Sequence, residues 1–238
     1  MKRKSPIILT ILLIFCLTVC GQINISIPKL FVETTPPKVG SPKWFHLNYS
    51  KNEFGVKNKN GQLEIKKVKE NDRCDFQLPQ GMLTAIDHGE FGGDLTYYPS
   101  DTTKRSVRIT GGNIKFIFDF KNKIYFIHGI AHGTYSGGAL YELDTTAGQF
   151  KYQKVLDFED APEAFTIYND KFLIATYENF YIVKDFQKEL IFKETFWGGL
   201  YPNSIAAFDD KNIFIGMRGG IIKIDLTKKA FKFFKNSN

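Results

Sequence analysis

Ser204-Ile205-Ala206-Ala207-Phe208, Asp209-Asp210-Lys211-Asn212, Ile213-Phe214-Ile215-Gly216-Met217, Arg218-Gly219-Gly220 and Ile221-Ile222-Lys223-Ile224-Asp225 follow one another without interruption. Three short apolar runs rich in β-branched and aromatic residues are separated by two turn signals, which predicts an antiparallel meander. Phe231, Phe233 and Phe234 mark a fourth strand. Lys228, Lys229, Lys232 and Lys235 stand around them, as on an outer edge guarded against strand addition.

The scheme repeats upstream. Phe165 leads through Asn169-Asp170 to Phe172-Leu173-Ile174-Ala175, then Glu178-Asn179 and Phe180-Tyr181-Ile182-Val183. Earlier still, Lys115-Phe116-Ile117-Phe118-Asp119-Phe120 turns at Lys121-Asn122-Lys123 into Ile124-Tyr125-Phe126-Ile127. Asn and Asp at such hairpins tolerate the left-handed backbone that tight turns need. The closest echo is His88-Gly89-Glu90-Phe91-Gly92-Gly93-Asp94-Leu95 against His132-Gly133-Thr134-Tyr135-Ser136-Gly137-Gly138-Ala139-Leu140, with one residue inserted. The units from Cys74 to Thr110 and from Trp44 to Val68 are progressively looser. Four strands recurring about every 40 residues predict an all-β fold, a β-propeller of about five four-stranded blades, with four or six as alternatives.

Ahead of the repeats, Lys2, Arg3 and Lys4 precede an apolar stretch, Ile7 to Phe15, that continues to Val19-Cys20-Gly21-Gln22. This predicts a secretory signal peptide over residues 1–21 and export to the periplasm or medium. The stretch is short for a membrane span. Leu17-Thr18-Val19-Cys20 offers a second reading, a lipoprotein leader acylated at Cys20, which would tether the protein at the cell envelope. An uncleaved anchor is the third. Residues 22–42, with Thr34-Thr35-Pro36-Pro37, read as a linker, and residues 43–238 as the propeller domain.

Composition is that of an ordinary globular chain, 43% hydrophobic and 24% charged. Loss of the three leader charges takes the formal charge from +7 to +4. A mildly basic domain without a concentrated basic face argues against nucleic acid. Membrane contact is expected only through a lipid on Cys20. Cys16 and Cys20 belong to the leader, so Cys74 has no disulfide partner in the mature chain. Arg73 beside it would favour a reactive thiolate, whereas a small half-buried strand residue is the plainer reading.

Propeller geometry puts second-to-third-strand turns and the connections between blades on one face. His88, Glu90, His132, Tyr177, Glu178 and Arg218 fall on the turns. Asp157-Phe158-Glu159-Asp160-Ala161-Pro162-Glu163 and Phe196-Trp197-Gly198-Gly199-Leu200-Tyr201 fall on the connections. This face is the expected ligand site, since rigid scaffolds carry function on loops. His88 and His132 with Glu90 or Glu163 could hold zinc, and the Asp160/Glu163 pair calcium, although no cofactor is the base expectation. The same histidines could instead pin their turns, and the acidic connection could be a solvated loop. Trp197, followed by two glycines, reads as an aromatic platform for a sugar or peptide, or as a ring packed between blades.

Residues Trp44 to Phe234 resemble the broad class of small β-propeller repeat proteins, whose Gly-Gly-x-Leu pattern occurs here. Asp160-Ala161-Pro162-Glu163-Ala164-Phe165-Thr166 also sits where exported five-bladed glutaminyl cyclases carry a Glu-Gly-Leu-type motif, with Ala164 for the glycine and Phe165 for the leucine. That second resemblance implies a cyclotransferase acting on N-terminal glutamine. The residues themselves leave two functional classes: a binding module for a protein, peptide or glycan, and an enzyme using His and Glu, either a metal-assisted hydrolase or lyase or such a cyclotransferase.

Overall fold

The computed structural model describes residues 25–69, 72–146 and 149–237. The expected leader and the acylation site at Cys20 lie outside the described residues. In chain order the strands are β1 (Phe31–Thr34), β2 (Phe54–Lys59), β3 (Gln62–Lys67), β4 (Arg73–Leu78), β5 (Gly81–Asp87), β6 (Gly93–Pro99) and β7 (Val107–Gly111). They continue as β8 (Ile114–Phe120), β9 (Lys123–His132), β10 (Tyr135–Asp144), β11 (Lys151–Phe158), β12 (Pro162–Tyr168) and β13 (Lys171–Thr176). The last are β14 (Phe180–Lys184), β15 (Gln187–Phe192), β16 (Ser204–Asp209), β17 (Asn212–Met217), β18 (Gly220–Asp225) and β19 (Ala230–Asn236), and a short helix, α1 (Pro42–Asn48), lies between β1 and β2.

The fold is all-β, built from antiparallel four-stranded meanders: β4 to β7, β8 to β11, β12 to β15 and β16 to β19. The turns form where the sequence places them. Lys121 and Asn122 have φ of 50° and 62°, and Asn169 and Asp170 have 48° and 57°. Positive φ at both central residues is the two-residue turn whose twist matches that of its flanking strands.

Two regions depart from the expected scheme. Within the segment read as linker, Phe31–Thr34 pairs antiparallel with β19 and makes the last sheet five-stranded. The stretch read as a first four-stranded unit holds α1 and the hairpin β2–β3 instead. Ser41 caps α1 by accepting from the Trp44 N–H at 3.3 Å, with Pro42 opening its first turn. Seven residues make a marginal helix alone. Docking stabilises this one, because Leu47 is buried and the Trp44 indole donates to the Phe196 carbonyl at 2.9 Å.

Among the described residues, apolar layers lie between neighbouring sheets. Leu83, Ala85, Leu95, Ile117 and Phe126 fill the one between the β4–β7 and β8–β11 sheets. Phe118, Tyr125, Phe172, Ile174 and Tyr181 fill the next. Leu173, Phe180, Trp197, Ile215 and Phe233 fill the third, between the β12–β15 and β16–β19 sheets. Phe54, Val56, Ala206 and Phe214 pack the β2–β3 hairpin onto the last sheet. Sheets covered on both faces carry apolar runs rather than strict alternation, which accounts for strands such as Phe172-Leu173-Ile174-Ala175.

Candidate functional site

The starts of β8 and β12 govern the site. Each of these strands, the first of its meander, slips register at its second residue, between Ile114 and Phe116 on β8 and between Pro162 and Ala164 on β12. The slipped residues are Lys115 and Glu163. A bulge re-aims the side chain of its extra residue, and these two meet: Lys115 Nζ lies 3.5 Å from Glu163 Oε2 and 2.7 Å from Asp87 Oδ2. Asp87, at the end of β5, also accepts from the Asn113 amide at 2.5 Å and the Gly89 N–H at 2.9 Å. Three sheets are thus tied together by one ammonium group.

Burial sets the charge of this triad. It drives the Glu163 carboxyl up to about 7 against the pull of Lys115, with Asp87 and Asp160 pushing it further up. Burial opposes the charged form of Lys115 as well, but the carboxylates of Glu163 and Asp87 outweigh it and raise the ammonium. Asp87 ends below the usual carboxylate range: burial opposes, and Lys115 and the Asn113 amide prevail. Lys115 sits closer to Asp87, so Glu163 carries the unbalanced desolvation. His128, half-buried on β9, is lowered by burial.

Glu163 lies at an open cleft of about 490 Å³ that His132, Ser136, Glu159, Asp160, Tyr177, Glu178, Glu194 and Tyr201 also line. His132, Glu163 and Tyr177, expected at a ligand site, therefore share one cleft with Glu178 and with residues of both connections named above. Glu90 joins them at the rim, with its Oε2 3.2 Å from His132 Nδ1. Burial and the neighbouring Tyr201 and Glu178 raise the Tyr177 hydroxyl above its ordinary value. His88 is exposed on the β5–β6 turn and does not line the cleft.

Of the two readings of Trp197, the structure shows the packed ring and not the platform: it is fully buried, packs in the third apolar layer, and donates its indole N–H to the Thr176 carbonyl at 3.2 Å. Arg218 is committed within the fold. Its Nε donates to Glu53 Oε1 at 2.8 Å, its Nη1 to the Asn48 carbonyl at 2.9 Å, and its guanidinium stands 4.2 Å from the Tyr201 ring centre.

The acidic connection is likewise structural at Asp160. Its Oδ1 accepts from Ser136 Oγ at 2.5 Å and the Ala161 N–H at 2.9 Å. Its Oδ2 accepts from Thr176 Oγ1 at 2.6 Å, the Glu178 N–H at 2.6 Å and Asn179 Nδ2 at 3.0 Å. Such a saturated carboxylate holds the cleft's walls together and has little capacity left for a ligand. Among the described residues no three His, Cys, Asp or Glu side chains converge as a metal would require. Burial pushes the Cys74 thiol up, away from reactive thiolate character.

Sequence patterning did not single out Lys115 or Asp87. One signal could have found Lys115: it is a charge at the second position of a largely apolar strand that opens a meander, as Glu163 is in its own. No protein-family model matches the chain, and no curated protein matches it. Among solved structures, the computationally designed Ika8 protein aligns with a TM-score of 0.33 and 8% identity, over 74% of this chain and 62% of that one. A likeness of that size carries no argument about fold or function.

Proposed function

We propose that the protein is an exported, β-propeller-type binding module that takes a protein, peptide or glycan ligand on its loop face. The observation that carries this reading is the cleft at Glu163, where turns and connections of three meanders meet around His132, Tyr177 and Tyr201. Loops held by packed sheets supply a preformed concave surface, the usual setting of a ligand site. The propeller reading draws support from successive meanders packed face to face, the β2–β3 hairpin lying on the last of them. About five blades follow if that hairpin counts as one. Export rests on the Lys2–Gly21 sequence alone.

A test is to screen the purified protein on peptide and glycan arrays and repeat each hit with His132→Ala and Tyr135→Ala. Both side chains are exposed, so melting should change little while binding falls at least tenfold. Hits that survive both substitutions would put the ligand elsewhere.

One observation favours a second reading, an enzyme. A buried carboxyl titrating at about 7 at a cleft floor suits general acid–base work, and Glu163 belongs to the segment resembling glutaminyl cyclases. Release of pyroglutamyl product from a peptide with N-terminal glutamine, lost in Glu163→Gln, would support it.

A further inference from the structure

The cleft has an excess of carboxylate in a chain whose formal charge is +7. Several of its acids are already matched: Glu159 pairs with Lys188 at 2.6 Å and Glu194 with Lys193 at 2.9 Å, and Asp160 is saturated by its donors. Two are not. Glu178 has no cationic partner among the described ion pairs, and Glu163 must share Lys115 with Asp87, which lies closer. Glu163, at the β12 bulge, nevertheless lines this cleft.

The three most exposed large hydrophobic side chains among the described residues are Phe91 (84%), Tyr49 (77%) and Tyr135 (61%). Tyr135 opens β10 and lines the cleft, and Phe91 follows Glu90 on the β5–β6 turn. Contact between His132 and Glu90 ties the Phe91 and Tyr135 loops to each other. Exposed aromatics gathered on one face mark an interaction surface, whereas scattered ones mean little. The face already holds one cation in this chemistry: Arg218 lies against the Tyr201 ring and pairs with Glu53. Tyr201 is also a wall of the cleft.

We propose that the occupant of this cleft is an extended peptide segment bearing a lysine or arginine, whose cationic head meets Glu163 and Glu178 while its apolar neighbours lie on Phe91 and Tyr135. This rests on the loop-face reading above and names its ligand class. Complementary charge supplies orientation and encounter rate, and the two rings supply contact area.

The experiment uses capped nonapeptides carrying a neutral fluorophore, random in neutral residues, with lysine fixed at the centre. A matched set has glutamine there. Anisotropy is read at pH 8 and low salt. The lysine set should bind at least tenfold more tightly than the glutamine set. Glu163→Gln should bring the two together without lowering the thermal midpoint, and Glu189→Gln, a remote exposed acid on β15, should change nothing. Equal affinities, a preference that survives Glu163→Gln, or no binding of the lysine set would each overturn the proposal. If the glutamine set alone binds and is lost on Tyr135→Ala, the loop face stands and the cationic ligand falls. Array hits confined to glycans would likewise overturn the cationic peptide and leave the loop face standing.

Discussion

Glu163 is the residue whose titration should be visible in the stability of the whole protein. Its folded pKa, about 7, stands above the ordinary 4.5, so between those values the folded state binds more protons than the unfolded one. Its contribution is therefore fully present below about pH 4.5 and is lost as pH rises through 7, by a few kcal/mol in all. His128 acts in the opposite sense: lowered by burial, it makes the folded state less tolerant of acid below 6.5. Subtracting the Glu163→Gln stability curve from that of the wild type isolates the first effect. The expected difference favours the variant at pH 8 and shrinks towards pH 5; a flat difference would remove Glu163 from the buried triad. At Trp197 the expectation is simpler. Truncation to Ala empties a fully buried site and unpairs the Thr176 carbonyl, which should cost about 3–5 kcal/mol in denaturant unfolding.

At the scale of elements, the glycines of the repeated motif have a packing role. A Cβ on Gly138 of β10 would lie 2.4 Å from both the His128 carbonyl oxygen and Pro162 Cδ, where β12 begins. Gly93, its counterpart at the start of β6, would meet the Ile86 carbonyl oxygen at 2.0 Å and Gly112, just before β8, at 2.9 Å. Each of these glycines thus meets its paired strand and the start of the next meander at a point where only glycine fits. Gly138→Ala should cost roughly 1–3 kcal/mol through overpacking and disturb the β12 start that presents Glu163. Gly133→Ala, at φ +60° with open space around it, should cost about 1 kcal/mol through backbone strain alone. Melting curves of the two variants should rank them in that order.

Over the described residues, early and late segments of the chain are brought together twice. β1 lies along β19, and the β2–β3 hairpin packs on β16 and β17. Arg218 fastens the second contact, linking the β17–β18 turn to Glu53 and to the end of α1. Both partners of that ion pair are largely shielded, with side-chain exposures of 23% and 22%. Replacing Arg218 by Met should destabilise the protein by about 3 kcal/mol, because it leaves Glu53 largely shielded and unpaired. Adding Glu53→Leu should recover part of the loss. Full additivity of the two changes would mean the pair does not act as a unit.

Local chemistry sufficed for the meanders. Apolar runs bounded by Asn169-Asp170 or Lys121-Asn122 specify strand, turn and strand within a dozen residues, and the periodicity of those signals carried the order of the sheets. It also placed His132, Tyr177 and Glu163 on turns or connections that do line one cleft. Burial and partnership are long-range properties, and there the sequence was mute. Only the packing of the β12–β15 sheet against the β16–β19 sheet decides that Trp197 is core rather than platform, and only the approach of Glu53 ties Arg218 into the fold. The pairing of β1 with β19 spans nearly the whole chain, beyond any window of periodicity. The Asp87–Lys115–Glu163 triad draws one residue from each of three sheets, so its members share a charge state that none shows singly.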